Sequence, residues 1–183
     1  MRRVLTVLAL LCLACAGSGP PHAFDALVGS PGVVTLVNLH PDEGRARLFA
    51  ANYQQNGLIP LCSPVVLMDL DDERLVFEVI ATGRRYEYYD HKAAAEPFPD
   101  HLARYFGTAC PAARDTLAGV DLEGVERGVA LVGMSKSAVV LAIGHPPPHV
   151  TPSLDADRWV YWKNRFNRIA ISFSEGRVRA IQD

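Results

Sequence analysis

Gly133-Met-Ser-Lys-Ser-Ala-Val-Val-Leu-Ala-Ile-Gly144, followed by His145-Pro-Pro-Pro148 and then Trp159-Val-Tyr-Trp-Lys-Asn-Arg-Phe-Asn-Arg168, is the stretch from which the fold of this chain is read. Ser135 stands where a helix N-cap belongs, and Val139, Val140 and Ile143 recur at helical spacing. Gly144 is suited to the left-handed exit of that helix, and Pro146, Pro147 and Pro148 forbid its continuation. Beyond the break, Trp159 and Tyr161 alternate with Val160 and Trp162, and Ile169, Ile171 and Phe173 alternate with Ala170, Ser172 and Ser174. With the strand expected around Gly176-Arg-Val178, this predicts a capped helix followed by a three-stranded meander. A shorter helix over 120–127 is expected to precede it, so one sheet face packs on two helices and the other is left for solvent or a partner.

The same residues carry a resemblance. Gly133-Met-Ser-Lys136, the Leu141-Ala-Ile-Gly-His-Pro-Pro147 exit, Trp159 with Tyr161, and Ile171-Ser-Phe173 before Gly176-Arg-Val178 resemble the SmpA/OmlA (BamE-like) outer-membrane lipoprotein domain family over residues 120–183. The resemblance implies a two-helix, three-stranded antiparallel module. It also implies a membrane-associated interaction role in the periplasm, assisting outer-membrane protein assembly or envelope integrity. The fold class expected for the whole chain is therefore α+β, with a β-rich N-terminal module ahead of this one.

The N-terminus points to the same compartment independently. Arg2 and Arg3 precede an uncharged apolar run from Val4 to Ala14, with small residues at Ala16, Gly17 and Ser18, the layout of a secretory signal. The run is shorter than the roughly 20 residues a membrane-spanning helix needs. Leu13-Ala-Cys-Ala16 resembles a lipobox in which Cys15 is lipidated and becomes the mature N-terminus, although Cys12 occupies the place that usually carries Leu. Cleavage after Ala16 or near Ala23 is the alternative. Multiple acyl chains on Cys15 would anchor the protein stably, and Ala16 fits sorting to the outer membrane. The expected location is the periplasmic face of that membrane.

Cys12 and Cys15 lie in the signal, which leaves Cys62 and Cys110 for the folded part of an exported chain. They form either a disulfide or two buried thiols. Residues 15–29 read as a tether, with Gly17-Ser-Gly-Pro-Pro21 as a spacer. Residues 30–115 read as the β-rich module, a small barrel or open sheet. Val33 to Val37, Pro60 to Leu70, and a hairpin of Leu75–Ile80 with Arg84–Tyr89 supply its strands. Phe98 to Phe106 reads as helical, with Leu102, Tyr105 and Phe106 facing inward.

Composition excludes several functions. Of 18 basic residues, 16 remain without Arg2 and Arg3 against 20 acidic ones, a mature charge of −4 that argues against nucleic acid as a partner. His145 and His149 flank three prolines, and four polyproline steps separate them by roughly 12 Å, too far to share a metal ion. Asp69, Asp71, Asp72 and Glu73 lack the EF-hand pattern and read as a solvated turn. There is no nucleophile elbow and no phosphate loop. The sequence thus predicts no enzyme, cofactor or metal site.

What remains is a surface. Trp162 and Phe166 sit beside a turn with Arg158, Lys163, Arg165 and Arg168, a mixture of aromatic anchors and planar cations suited to binding protein or envelope components. Two functions follow from these readings: a non-catalytic envelope lipoprotein, or a soluble secreted binding or inhibitor protein of related fold.

Overall fold

The alternation of Leu75, Phe77 and Val79 with Val76 and Glu78 is the clearest period-two pattern in the chain, and in the computed structural model it forms a central strand. The structure describes residues 22–94 and 96–183. β1 (Val33–Thr35), β2 (Arg47–Phe49), β3 (Pro64–Leu70), β4 (Arg74–Val79), β5 (Arg84–Tyr89) and β6 (Phe106–Gly107) make one curled sheet in the order β2-β5-β4-β3-β1-β6. β2 runs parallel to β5, and the other neighbours are antiparallel. Leu75, Phe77 and Tyr88 point into the core, where Phe77, Tyr88 and Phe106 pack edge to face. α1 (Phe98–Leu102) closes this core with Phe98 and Leu102. The helix expected to reach Phe106 stops at Leu102, and Phe106 pairs with Thr35 instead.

The second half comprises α2 (Gly119–Arg127), α3 (Lys136–Ile143) and a meander of β7 (Arg158–Trp162), β8 (Arg168–Ser174) and β9 (Arg177–Gln182). Ser135 caps α3: its Oγ accepts from the Ala138 N–H at 3.2 Å and donates to Asp121 at 3.0 Å. Gly144 ends the helix at φ 74°, ψ −176°, where a Cβ would stand 2.9 Å from the Asn52 amide nitrogen.

The α+β class with a BamE-like two-helix module is overturned by this architecture. Among the described residues the chain is β-rich, with sheets of six and three strands against α-helices of 5, 9 and 8 residues. Nor do the helices and the meander stand as a unit. The C-terminal carbonyls of α3 are taken by side chains from the first half of the chain: Asn38 donates to Ala142 O at 3.1 Å, Asn52 to Ile143 O at 2.9 Å and Gln54 to Ile143 O at 2.9 Å. Asn38 also donates to Val125 O at 2.7 Å and accepts from Leu61 N at 2.6 Å. Tyr53 bridges to Trp162 and Gln54 N donates to Trp162 O at 2.8 Å, so the 53–54 segment lies along the free edge of β7. A single hydrophobic cluster runs from Phe24 to Val178 through both sheets. The physical reason for the correction is that capping residues mark where a helix ends and say nothing of which layer receives it.

The signal segment, Cys15 and the first part of the tether lie outside the described residues. From His22 onward the expected tether is packed: His22 caps a 3-10 turn over Ala23–Leu27, and Phe24 is buried against Phe106. Cys62 and Cys110 are disulfide-bonded with their Cα atoms 5.2 Å apart, joining the start of β3 to the segment after β6. Among the described residues no helix is long and apolar enough to cross a membrane.

Candidate interaction surface

The turn between β7 and β8 is built to hold its side chains outward. Trp162 and Arg168 face each other as the last cross-strand pair. Lys163 N donates to Asn167 O at 2.8 Å, and the Asn164 carboxamide oxygen accepts from Phe166 N at 2.9 Å and Asn167 N at 3.0 Å. This Asx geometry fixes a short loop without apolar support. Phe166 is therefore held at its tip with 75% of its surface exposed.

Cations lie on both aromatic rings. The Arg165 guanidinium is 4.7 Å from the Phe166 ring centroid, and that of Arg168 is 4.4 Å from the Trp162 centroid. His149 stacks on Trp162 at 6.3 Å with an interplanar angle of 10°. Trp162 is thus half-buried, with His149 and Arg168 against its ring, whereas Phe166 is exposed at the tip. Lys163 is paired with Asp183. Neither Arg165 nor Arg168 has a carboxylate partner among the described residues. Arg158 does not join them: it opens β7 opposite Ser172, four residues along the strand from Trp162, or about 13 Å.

Several concavities border the turn, the most open of about 670 Å³ beside Lys163, Phe166, Asn167, Arg168 and Asp183. One of about 140 Å³ is lined by Ala51, Tyr53, His91, His149, Trp162 and Arg165. Another of about 220 Å³ lies between Asp42, Phe49, Tyr53, Gln55, Asn164 and Arg165. Sequence reasoning missed the contribution of Tyr53 and Phe49. Their place beside Trp162 is set by the pairing of the 53–54 segment with β7, which no local pattern announces.

The polar groups that most resemble catalytic machinery are elsewhere and shielded. His101 Nε2 is 2.9 Å from Tyr88 Oη, and its Nδ1 is 3.2 Å from the Arg104 guanidinium and 3.1 Å from Glu96. Glu96 also accepts from Arg104, so its charge is largely answered there. Burial, aided by Arg104 and His145, pushes the His101 pKa down to about 3, and burial with Arg104 pushes that of His145 down to about 4. Burial likewise holds Tyr88 well above its ordinary value and raises Tyr105 to about 12. These groups are neutral at pH 7 and stacked, with the His101 and Tyr105 rings 4.7 Å apart. They form a stacked, hydrogen-bonded core network. The signal for it was present in the spacing of Phe98, His101, Leu102 and Tyr105, which places His101 on the inward face.

The acidic run at 69–73 is a turn only from Asp71 to Glu73, since Asp69 lies in β3; Arg74 lies 3.4 Å from Asp69 and 3.8 Å from Asp71. No group of three or more His, Cys, Asp or Glu side chains among the described residues is arranged to hold a metal ion. In comparisons with known proteins, no family model, no curated protein and no solved structure matches this chain.

Proposed function

We propose that this chain is a non-catalytic envelope binding protein, exported and anchored at the periplasmic face of the outer membrane through a lipid on Cys15. It presents the β7–β8 turn to a protein partner in outer-membrane assembly or envelope integrity. The observation that carries the reading is Phe166, held 75% exposed on a hydrogen-bonded turn beside two guanidiniums that lack carboxylate partners among the described residues. A ring so exposed gives the free protein almost no burial energy, yet on docking it would bury an aromatic side chain at the centre of a cationic rim. The complementary partner surface is acidic and offers an apolar pocket. The motifs that resemble SmpA/OmlA and the lipobox-like Leu13-Ala-Cys-Ala16 support the location.

Two measurements test this. Mass spectrometry of the mature N-terminus should find an acylated Cys15; an unmodified chain starting at Gly17 or Phe24 would favour the soluble secreted binding protein. Affinity capture from envelope extracts should recover a protein partner that Phe166→Ala and the paired Arg165→Glu, Arg168→Glu change both lose, with thermal stability retained. Equal recovery by wild type and variants would remove the turn from the interface.

A further inference from the structure

The core face of the three-stranded sheet is unevenly covered. Trp159, Tyr161 and Ile171 are buried beneath the helices, whereas Ile169 and Ile181 on the same face are only half-buried. α2 and α3 end there, at Arg127 and Ile143. A cleft of about 280 Å³ opens there. Ile143, Ile169, Ile181 and Val129 form its apolar walls, and Lys163 and Asp183 stand at its exposed rim. Gln54, Gln55 and the buried His40 line it too. The volume corresponds to roughly nine waters and lies at the lower edge of small-molecule sites.

We infer that this cleft binds a zwitterionic α-amino acid with a large apolar side chain. The apolar walls receive the side chain, burying isoleucine surface that the fold leaves wet. The rim selects the head group. Lys163 and Asp183 pair with one another, their side chains 43% and 60% exposed, and an ion pair so exposed contributes little. An entering amino acid exchanges that pair for two: Lys163 takes the ligand carboxylate and Asp183 its ammonium. A purely anionic amphiphile would leave Asp183 facing a like charge, and an amine would do the same to Lys163. This site goes beyond the proposed turn interface and does not depend on it.

The test is a titration of the full chain, disulfide intact, with leucine and phenylalanine, followed by two-dimensional NMR of backbone and carboxamide groups. Saturable shifts are expected at Val129, Ala130, Gln54 and Gln55. Lys163→Gln and Asp183→Asn should each weaken binding about tenfold, as should replacing leucine by 4-methylpentanoate or 3-methylbutylamine, which lack one charge. Ala130→Phe, which fills the cleft, should abolish it. Absence of saturable shifts up to about 10 mM ligand would overturn the inference. So would equal binding of the single-charge analogues, or undiminished binding by folded Ala130→Phe. Should Ala130→Phe fail to fold, the exposed Lys163 and Asp183 variants decide alone.

Discussion

His101 has 1% of its surface exposed, and that burial sets how the protein responds to acid. Its folded pKa is about 3 against an ordinary 6.5, so the unfolded chain binds a proton that the folded one refuses. The stabilisation is complete above pH 6.5, declines as pH falls below that value, and is gone below about 3. His145, at about 4, acts in the same direction. Both residues therefore make acid destabilising, by about 1.4 kcal/mol for each pH unit between the folded and unfolded values of a group. Urea unfolding followed from pH 7 to pH 4 should show a steady fall in the midpoint. His101→Gln, which removes the titration at some cost in packing, should flatten that fall. A midpoint independent of pH over this range would contradict the buried neutral histidine.

At the scale of elements, the joint between α3 and the first half of the chain is the critical one. Asn38 donates to Val125 O and Ala142 O and accepts from Leu61 N; Val125 O also accepts from Gly128 N, and Ala142 O lies 3.1 Å from His40 Nε2. Asn38→Ala removes the acceptor of Leu61 N and one of two donors at each carbonyl, and should cost about 2 kcal/mol, read by chemical denaturation. How far such elements were legible depended on whether their cause was local. The β4–β5 hairpin was written in the alternation of Leu75, Phe77 and Val79, and α3 in Ser135 and Gly144. β2 was not legible: three residues, Arg47 to Phe49, are strand only because β5 offers a parallel edge. Phe106 continued a helical pattern but pairs with β1, where burial against Phe77 and Tyr88 outweighs helix propensity. The two-helix module failed for a related reason, since the capping signals of α3 do not encode the Asn38 and Asn52 side chains that receive its end. At the surface, Phe166 and Arg165 could be read from the sequence, whereas Tyr53 and the stacking of His149 on Trp162 required the tertiary fold.

For the whole molecule, one core serves both sheets. Unfolding should therefore be a single transition, and a chain ended at residue 115 should fail to give a native spectrum because the α3 carbonyls and the β7 edge are missing. Two calorimetric transitions would instead indicate independent modules. The Cys62–Cys110 bond closes a separation of 48 residues and contributes about 4 kcal/mol in the chain-entropy account. The double change to Ser should lower stability by about that amount, and an unchanged denaturation midpoint would show that the bond does not constrain the unfolded chain.

The exposed turn is the proposed binding feature, and a photo-crosslinking amino acid at position 166 interrogates it most directly in the cell. The account predicts a discrete crosslinked band with one envelope protein, absent when the same probe replaces Arg158 at the far end of β7 and lost when Arg165 and Arg168 are reversed in charge. No crosslink at 166, or the same band from both positions, would contradict the turn as the binding surface.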